Sequence, residues 1–353
     1  MDPYRTQYAE GAMRFLFLAA ILLGSTSTLA AQSPSTSVSP NDLAKAHEAL
    51  EHDHPDEAIA ILQKLADAQP HVKGVHHELG LAYYSSGSLM KAKQSFELAV
   101  QEDASDMESV QLEGLTLYRL GQPAAAIPYL ERVRGWMPNA NADANYVLGL
   151  CYLNSRRYDD ARHSFATQFG ESPDSAEAYL LLGTMLMHAN LEELAAEQVR
   201  KALQISPTLP LAHFMLGEVA LFKSNIDEAI VEFEAERKMN PGYAPVYDRL
   251  GDAYLHVGKV SDAQQALTKA ISLDTTSTGP FILMGEVLLR RQDARTALLY
   301  LRHAEKMDPS NYVTHTLLSQ AYRRAGREDD AKRETDIASK IHVDNQLKLD
   351  PVK

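Results

Sequence analysis

The sequence predicts an all-α solenoid of about nine helix-turn-helix units, and three periodic markers predict it. An alanine recurs at Ala58, Ala92, Ala126, Ala161, Ala195, Ala229, Ala263, Ala297 and Ala331, 34 residues apart except for one interval of 35. Twelve residues before it stands a glycine in seven units: Gly80, Gly114, Gly149, Gly183, Gly217, Gly251 and Gly285. Twelve residues after it stands a proline in six: Pro70, Pro138, Pro173, Pro207, Pro241 and Pro309. This period accommodates two helices of about 13 residues and two short turns. A lone helix pair cannot bury its apolar face, so stability must come from stacking neighbours.

Taken in chain order, the first element is an address. Phe15–Leu23 is an unbroken apolar run, preceded by Arg14 and followed by small residues ending at Ala30-Ala31-Gln32. A basic residue, a short apolar core and a small-residue cleavage zone predict a secretory signal peptide over 1–31, cut near Ala30 or Ala31. The core is shorter than the ~20 apolar residues a membrane span needs, so an uncleaved inner-membrane anchor is the alternative. Asp2 and Glu10 suit such a leader poorly, which points to Met13 as the start of translation. Export to the periplasm or the medium is the expected location. Residues 32–38 open a Ser/Thr/Pro linker with too little apolar content to fold.

The units follow at 39–72, 73–106, 107–140, 142–175, 176–209, 210–243, 244–277, 278–311 and 312–340, with Asn141 as the inserted residue. Gly87, Gly121, Asn190, Gly258 and Gly326 occupy the turn inside a unit, where the first helix ends and φ > 0 is needed. Small residues let the two helices cross closely, and the large apolar residue four after the alanine, as in Phe96, Phe165 and Phe233, is assigned to the space between neighbouring units. Proline then stops the second helix. Lys45 and Ala49 in the first unit, and Thr335 in the ninth, mark these as caps. Residues 341–353 form a cap or tail, ended by Asp350-Pro351.

The run Leu79-Gly80…Tyr83…Ala92…Phe96…Ala99, with proline to close, resembles the tetratricopeptide repeat, and the resemblance covers about 39–340. It implies a right-handed superhelix whose concave groove is lined by positions 2, 5, 9, 12 and 13 of each first helix, counting from the start of a unit. Positions 4, 7, 8 and 11 share the opposite, packing face at 100° per residue. The groove positions of the middle units are apolar: Tyr146 and Leu150 in unit four, Leu180 and Met187 in unit five, Phe214 and Phe222 in unit six. Glu218, Asp248 and Asp252 border them. Packing against second helices is the competing reading of that apolar face. Some members of the family grip a C-terminal carboxylate with Lys, Asn and Arg; His77, Leu81, Gln111, Leu115, Tyr146 and Leu150 stand at the corresponding positions, so that clamp is absent.

The net charge of −13 argues against nucleic acid, and against an anionic membrane as the main partner. One cysteine, Cys151, rules out an intramolecular disulfide and reads as a small core residue. Histidines crowd the first units, yet neither His47-Glu48 nor His77-Glu78 completes HExxH, and no phosphate loop, dinucleotide fingerprint or nucleophile elbow occurs. Neither a cofactor, nor a metal, nor a catalytic residue is assigned. The expected function is a non-catalytic protein-interaction scaffold of the cell envelope, holding an apolar partner segment with basic residues. A self-associating component of a secretion, pilus or polysaccharide-export assembly is the alternative.

Overall fold

A computed structural model of the chain describes residues 41–68, 72–136 and 144–349. The leader, the linker, Pro70, Pro138 and Asn141 lie outside the described residues. Every regular element among them is a helix, and the helices fall into two compact bodies, one through Asp174 and one from Ser175.

The N-terminal body contains repeats one to four: α1 (Asp42–Glu51) and α2 (Pro55–Ala68), α3 (Val75–Ser85) and α4 (Leu89–Glu102), α5 (Met107–Arg119) and α6 (Pro123–Arg132), α7 (Ala144–Asn154) and α8 (Tyr158–Phe169). The C-terminal body contains repeats five to nine: α9 (Ala176–His188) and α10 (Glu192–Ile205), α11 (Ala212–Phe222) and α12 (Ile226–Met239), α13 (Ala244–His256) and α14 (Val260–Leu273), α15 (Gly279–Arg290) and α16 (Ala294–Met307), α17 (Tyr312–Arg324) and α18 (Glu328–Leu349). Within a repeat the two helices pack together, and within each body every second helix also packs on the first helix of the following repeat. The predicted all-α solenoid is therefore present, built repeat upon repeat. No helix among the described residues is long and apolar enough to cross a membrane.

The alanine ladder is the spine of both bodies: the nine alanines are at most 1% exposed. The glycine ladder has a sharper cause. A Cβ on Gly149 would stand 2.5 Å from the Phe165 ring, and one on Gly251 would stand 2.5 Å from Leu267. Each such glycine is the floor on which the large residue sixteen positions later rests, and no side chain fits between them. This corrects the sequence reading in one respect: the large residues sit over the glycine of their own repeat, besides whatever they touch in the next. Repeat nine replaces the pair by Ser319 and Thr335, whose hydroxyls bond at 2.7 Å.

All nine intra-repeat turns have φ > 0 at the same register. Gly87, Gly121, Asn190, Gly258 and Gly326 were legible as such, and Asp53 is of a type that tolerates the left-handed conformation, whereas Arg156, Ser224 and Gln292 adopt it without the residue type that favours it. The second helices of repeats one, two and five to eight end two residues before the proline register, whereas those of repeats three and four end earlier, at Arg132 and at Phe169, the latter on Gly170 with φ 72°. In repeats two and seven, which lack the proline, and in repeat eight beside Pro309, an aspartate forms the turn: Asp103 Oδ1 accepts from Ser105 N at 2.9 Å, Asp274 Oδ1 from Thr276 N at 2.8 Å and Asp308 Oδ1 from Ser310 N at 2.9 Å. The last helix departs from the pattern. α18 runs 22 residues, so the boundary placed at 340 falls inside it and the described part of the tail continues the helix.

Tyrosine three after the glycine clasps the preceding repeat. Tyr83 Oη accepts from Gln63 Nε2 at 2.6 Å, Tyr152 Oη donates to Glu131, and Tyr254 Oη donates to Glu234 at 2.8 Å. All three partners occupy one register position. At Tyr322 that position holds Arg302, whose guanidinium lies 5.9 Å from the ring centroid. Burial and the acceptor carboxylate push the Tyr152 and Tyr254 hydroxyls up to about 12. Cys151 is fully buried and burial pushes its thiol up to about 12, as befits a core residue. Trp136 and Ile205, which share a register position, are 37% and 53% exposed.

Candidate functional site

The nine predicted groove residues divide between the bodies. Tyr146 and Leu150 lie on α7 of the N-terminal body, and both are half-buried. The Tyr146 ring packs tilted against Phe165 of the second helix, at 5.7 Å between centroids and 55° between planes. The other seven belong to the C-terminal body: Leu180 and Met187 on α9, Phe214, Glu218 and Phe222 on α11, Asp248 and Asp252 on α13.

Phe214 repeats the arrangement of Tyr146 at the same register. Its ring meets Phe233 at 5.5 Å and Tyr243 edge-on at 5.2 Å, so most of it packs against the second helix and the following loop. Leu180 and Met187 are likewise half-buried. Phe222, closing α11, is 39% exposed and presents the most apolar area to solvent of the seven. The apolar face is thus partly consumed by packing, with Phe222 at its open edge.

The acidic members are organised by a residue the sequence reading passed over. Arg249, one position after Asp248, donates through Nε to Glu218 Oε1 at 2.6 Å and places Nη1 3.8 Å from Asp248 Oδ2. This ties α11 to α13 and brings two carboxylates, Glu218 and Asp248, to one guanidinium, while Asp252 lies near enough to act on Asp248 and meets His256 Nδ1 at 3.3 Å. Asp248 is recessed, its side chain 16% exposed, and its Oδ1 has no hydrogen-bond partner. Burial, reinforced by Asp252 and Glu218 and opposed by Arg249, pushes its carboxyl up to about 6. Gly279 opens the space beside it: a Cβ there would stand 3.4 Å from Asp248 Oδ2. A negative, incompletely satisfied recess of this kind accepts a lysine or arginine side chain.

Other candidates are spent within the chain. Arg290 Nη1 donates to the Leu255 carbonyl at 2.6 Å and Arg324 to that of Leu289, so two arginines of the C-terminal cluster cap the helix ends of preceding repeats. Arg327 pairs with Asp330 and covers Tyr322. Among the N-terminal histidines, His47 bonds Glu78 and His77 bonds Ser109, each across a repeat junction, while His76 bonds Glu102 within repeat two.

One buried carboxyl belongs to no predicted site. Glu113 on α5 is fully buried, and neither oxygen has a hydrogen-bond partner. Burial, with Glu97 adding and Lys93 opposing, pushes it up to about 7. At the same register stand Leu79, Leu148, Leu182, Leu216, Leu250, Met284 and Leu318. That register was the signal that could have found it.

Three stretches match models described as tetratricopeptide repeat: residues 43–106, 117–185 and 244–276. These three stretches of the chain are tetratricopeptide repeats. The repeats are similar to those of several curated proteins: anaphase-promoting complex subunit 3 of Schizosaccharomyces pombe, 21% identical over 80% of this chain and 42% of that protein; the peroxisomal targeting signal receptor of Kluyveromyces lactis, 26% over 56% and 35%; and the TPR repeat-containing protein YpiA of Bacillus subtilis, 23% over 61% and 51%. The chain spans less than two thirds of each of these relatives. Among solved structures, YrrB, described as a TPR protein with an unusual peptide-binding site, aligns at 21% identity over 53% of this chain and 97% of its own, with a TM-score of 0.45. MamA aligns at 19% over 46% and 96%, with a TM-score of 0.43.

Proposed function

We propose that this tetratricopeptide-repeat chain is a non-catalytic scaffold of the cell envelope, which holds a protein segment carrying a basic and an apolar side chain on the first-helix face of the C-terminal body. The observation that carries this reading is the recess around Arg249. Glu218 and Asp248 meet there, Asp252 adds its negative charge nearby, Asp248 Oδ1 is unpartnered, and Phe222 stands exposed on the helix that supplies Glu218. A lysine or arginine of the partner satisfies Asp248, and an apolar neighbour covers Phe222. The peptide-binding description of YrrB and the receptor role named for the peroxisomal relative support protein recognition as the class of function. The envelope assignment rests on the Phe15–Leu23 run and the small residues after it.

Affinity capture from an envelope extract tests both parts. The wild-type chain is expected to retain a partner that Asp248→Asn and Phe222→Ala each lose, and that elutes with salt because its basic residue is screened. Identical capture by all three proteins overturns the recess as the site. A mature N-terminus other than one near residue 31 or 32, found by mass spectrometry of the protein from cells, overturns the export reading.

A further inference from the structure

We infer that the last junction of the C-terminal body is a divalent transition-metal site formed by Glu305, His315 and Glu334. Each residue offers one donor atom, and these atoms lie within 4.8 Å of one another. They come from three helices: Glu305 from α16, His315 from α17 and Glu334 from α18. His315 and Glu334 are buried, with side chains 3% and 7% exposed, while Glu305 is partly open to solvent.

The imidazole is already oriented as a ligand. Its Nε2 lies 3.0 Å from the Pro309 carbonyl, an obligate acceptor, so Nε2 carries the hydrogen. A metal-bound histidine is characteristically held by such a bond from its other nitrogen to a backbone carbonyl. Nδ1 meets Glu334 Oε2 at 2.7 Å, a bond that requires a proton on Nδ1, and a metal ion would take the place of that proton between the same two atoms. Glu305 adds a second carboxylate, and among the described residues no lysine or arginine forms an ion pair with either glutamate. Two carboxylates and an imidazole without a neutralising side chain are suited to a cation. Neighbouring donors on a tetrahedral zinc ion are about 3.3 Å apart, which small side-chain rotations reach from the spacing here. One nitrogen and two oxygen donors favour zinc or a neighbouring transition ion over magnesium or calcium, which take oxygen ligands.

Repeat six supplies the internal control. His213 and Glu232 occupy the same register positions as His315 and Glu334 and bond through the same atoms at 2.6 Å. The residue equivalent to Glu305 is Leu203, and the pair is more open, 24% and 21% exposed. A histidine–glutamate tie is therefore a recurrent packing device of this chain. The third donor and the deeper burial occur at the last junction, where the ion would pin the terminal repeat to its neighbour.

The test is a zinc titration of the full chain, stripped of metal, by calorimetry and by thermal unfolding, with magnesium as the control ion. Wild type is expected to bind one zinc in the micromolar range and to gain thermal stability, and to ignore magnesium. Glu305→Gln, which leaves the His315–Glu334 bond in place, is expected to weaken that zinc at least tenfold, and His213→Gln to leave it unchanged. Equal zinc affinity and stoichiometry in wild type and Glu305→Gln overturns the assignment. So does wild-type binding weaker than about 1 mM, or loss of the tight zinc in His213→Gln.

Discussion

Repeats three and eight place opposite chemistry in the same slot. In repeat eight, α15 is apolar almost throughout, and Met284 is 2% exposed among Phe281, Ile282, Leu283, Val287 and Leu288. In repeat three, α5 buries Ser109, Gln111, Glu113 and Thr116 along with its apolar residues, and Glu113 stands where repeat eight has Met284. Both helices nevertheless cross their partners over a glycine, Gly114 on Leu130 and Gly285 on Leu301. The crossing is thus set by the glycine and the residue above it, while the adjacent core position tolerates a carboxyl as long as the carboxyl keeps its proton. Where the repeats differ next, at the intra-repeat turn, repeat three has Gly121 and repeat eight has Gln292 with φ 65°.

Exchanging these features gives a graded series of effects. Met284→Glu should be the most damaging, since it places an unpaired carboxylate in a core without a cation: a loss of ~3–5 kcal/mol is expected by urea denaturation at pH 8. A change below ~1 kcal/mol there would mean that repeat eight is as permissive as repeat three. Glu113→Leu should act in the other direction, raising stability by ~1–3 kcal/mol at pH 8, because it removes a buried group with unmade hydrogen bonds. The gain must depend on pH. The native Glu113 holds its proton up to about 7, whereas an unfolded glutamate releases it near ~4.3. Folding therefore retains a proton, and the wild type loses stability as pH rises from that lower value through 7. The advantage of Glu113→Leu should shrink between pH 8 and pH 5, and an equal gain at both would show that the carboxyl is not the cause. The smallest effects belong to the turns. Gln292→Gly should add ~0.5–1 kcal/mol by relieving a left-handed glutamine, and Gly121→Ala should subtract about as much, both read as shifts in Tm. Equal signs for the two would separate turn strain from the register that imposes it.

The periodic part of this molecule was open to sequence reading because period and packing have one cause. The alanines and glycines mark the helix crossings, and those crossings leave no room for other residues. The left-handed turns were half legible, since Arg156 and Gln292 carry no chemical sign of φ > 0 and only their register implies it. The apolar groove residues were found by register, but register alone could not tell that Phe214 and Tyr146 lean on the phenylalanines of the second helices, because the direction of an aromatic side chain depends on what stands sixteen to twenty residues on. Arg249 was passed over because its position was assigned to neither face. Glu113 hid as one acid among many until compared with the leucines of its register. The Glu305, His315 and Glu334 group has no motif spacing at all, since three helices of two repeats supply it.

The tyrosine clasps distribute along the chain in a way the 34-residue period does not suggest. Repeats two, four, seven and nine reach back to the repeat before them through Tyr83, Tyr152, Tyr254 and Tyr322, while Leu117, Ala220 and Leu288 occupy that position in repeats three, six and eight. Inside each body the joints therefore come in two kinds, those with a tyrosine clasp and those tied by other side chains: His77 meets Ser109 between repeats two and three, Lys223 pairs with Glu193 between five and six, and Arg290 reaches the Leu255 carbonyl between seven and eight. Under tension along the chain the two kinds resist through different bonds, a phenol in one and an imidazole, ammonium or guanidinium in the other.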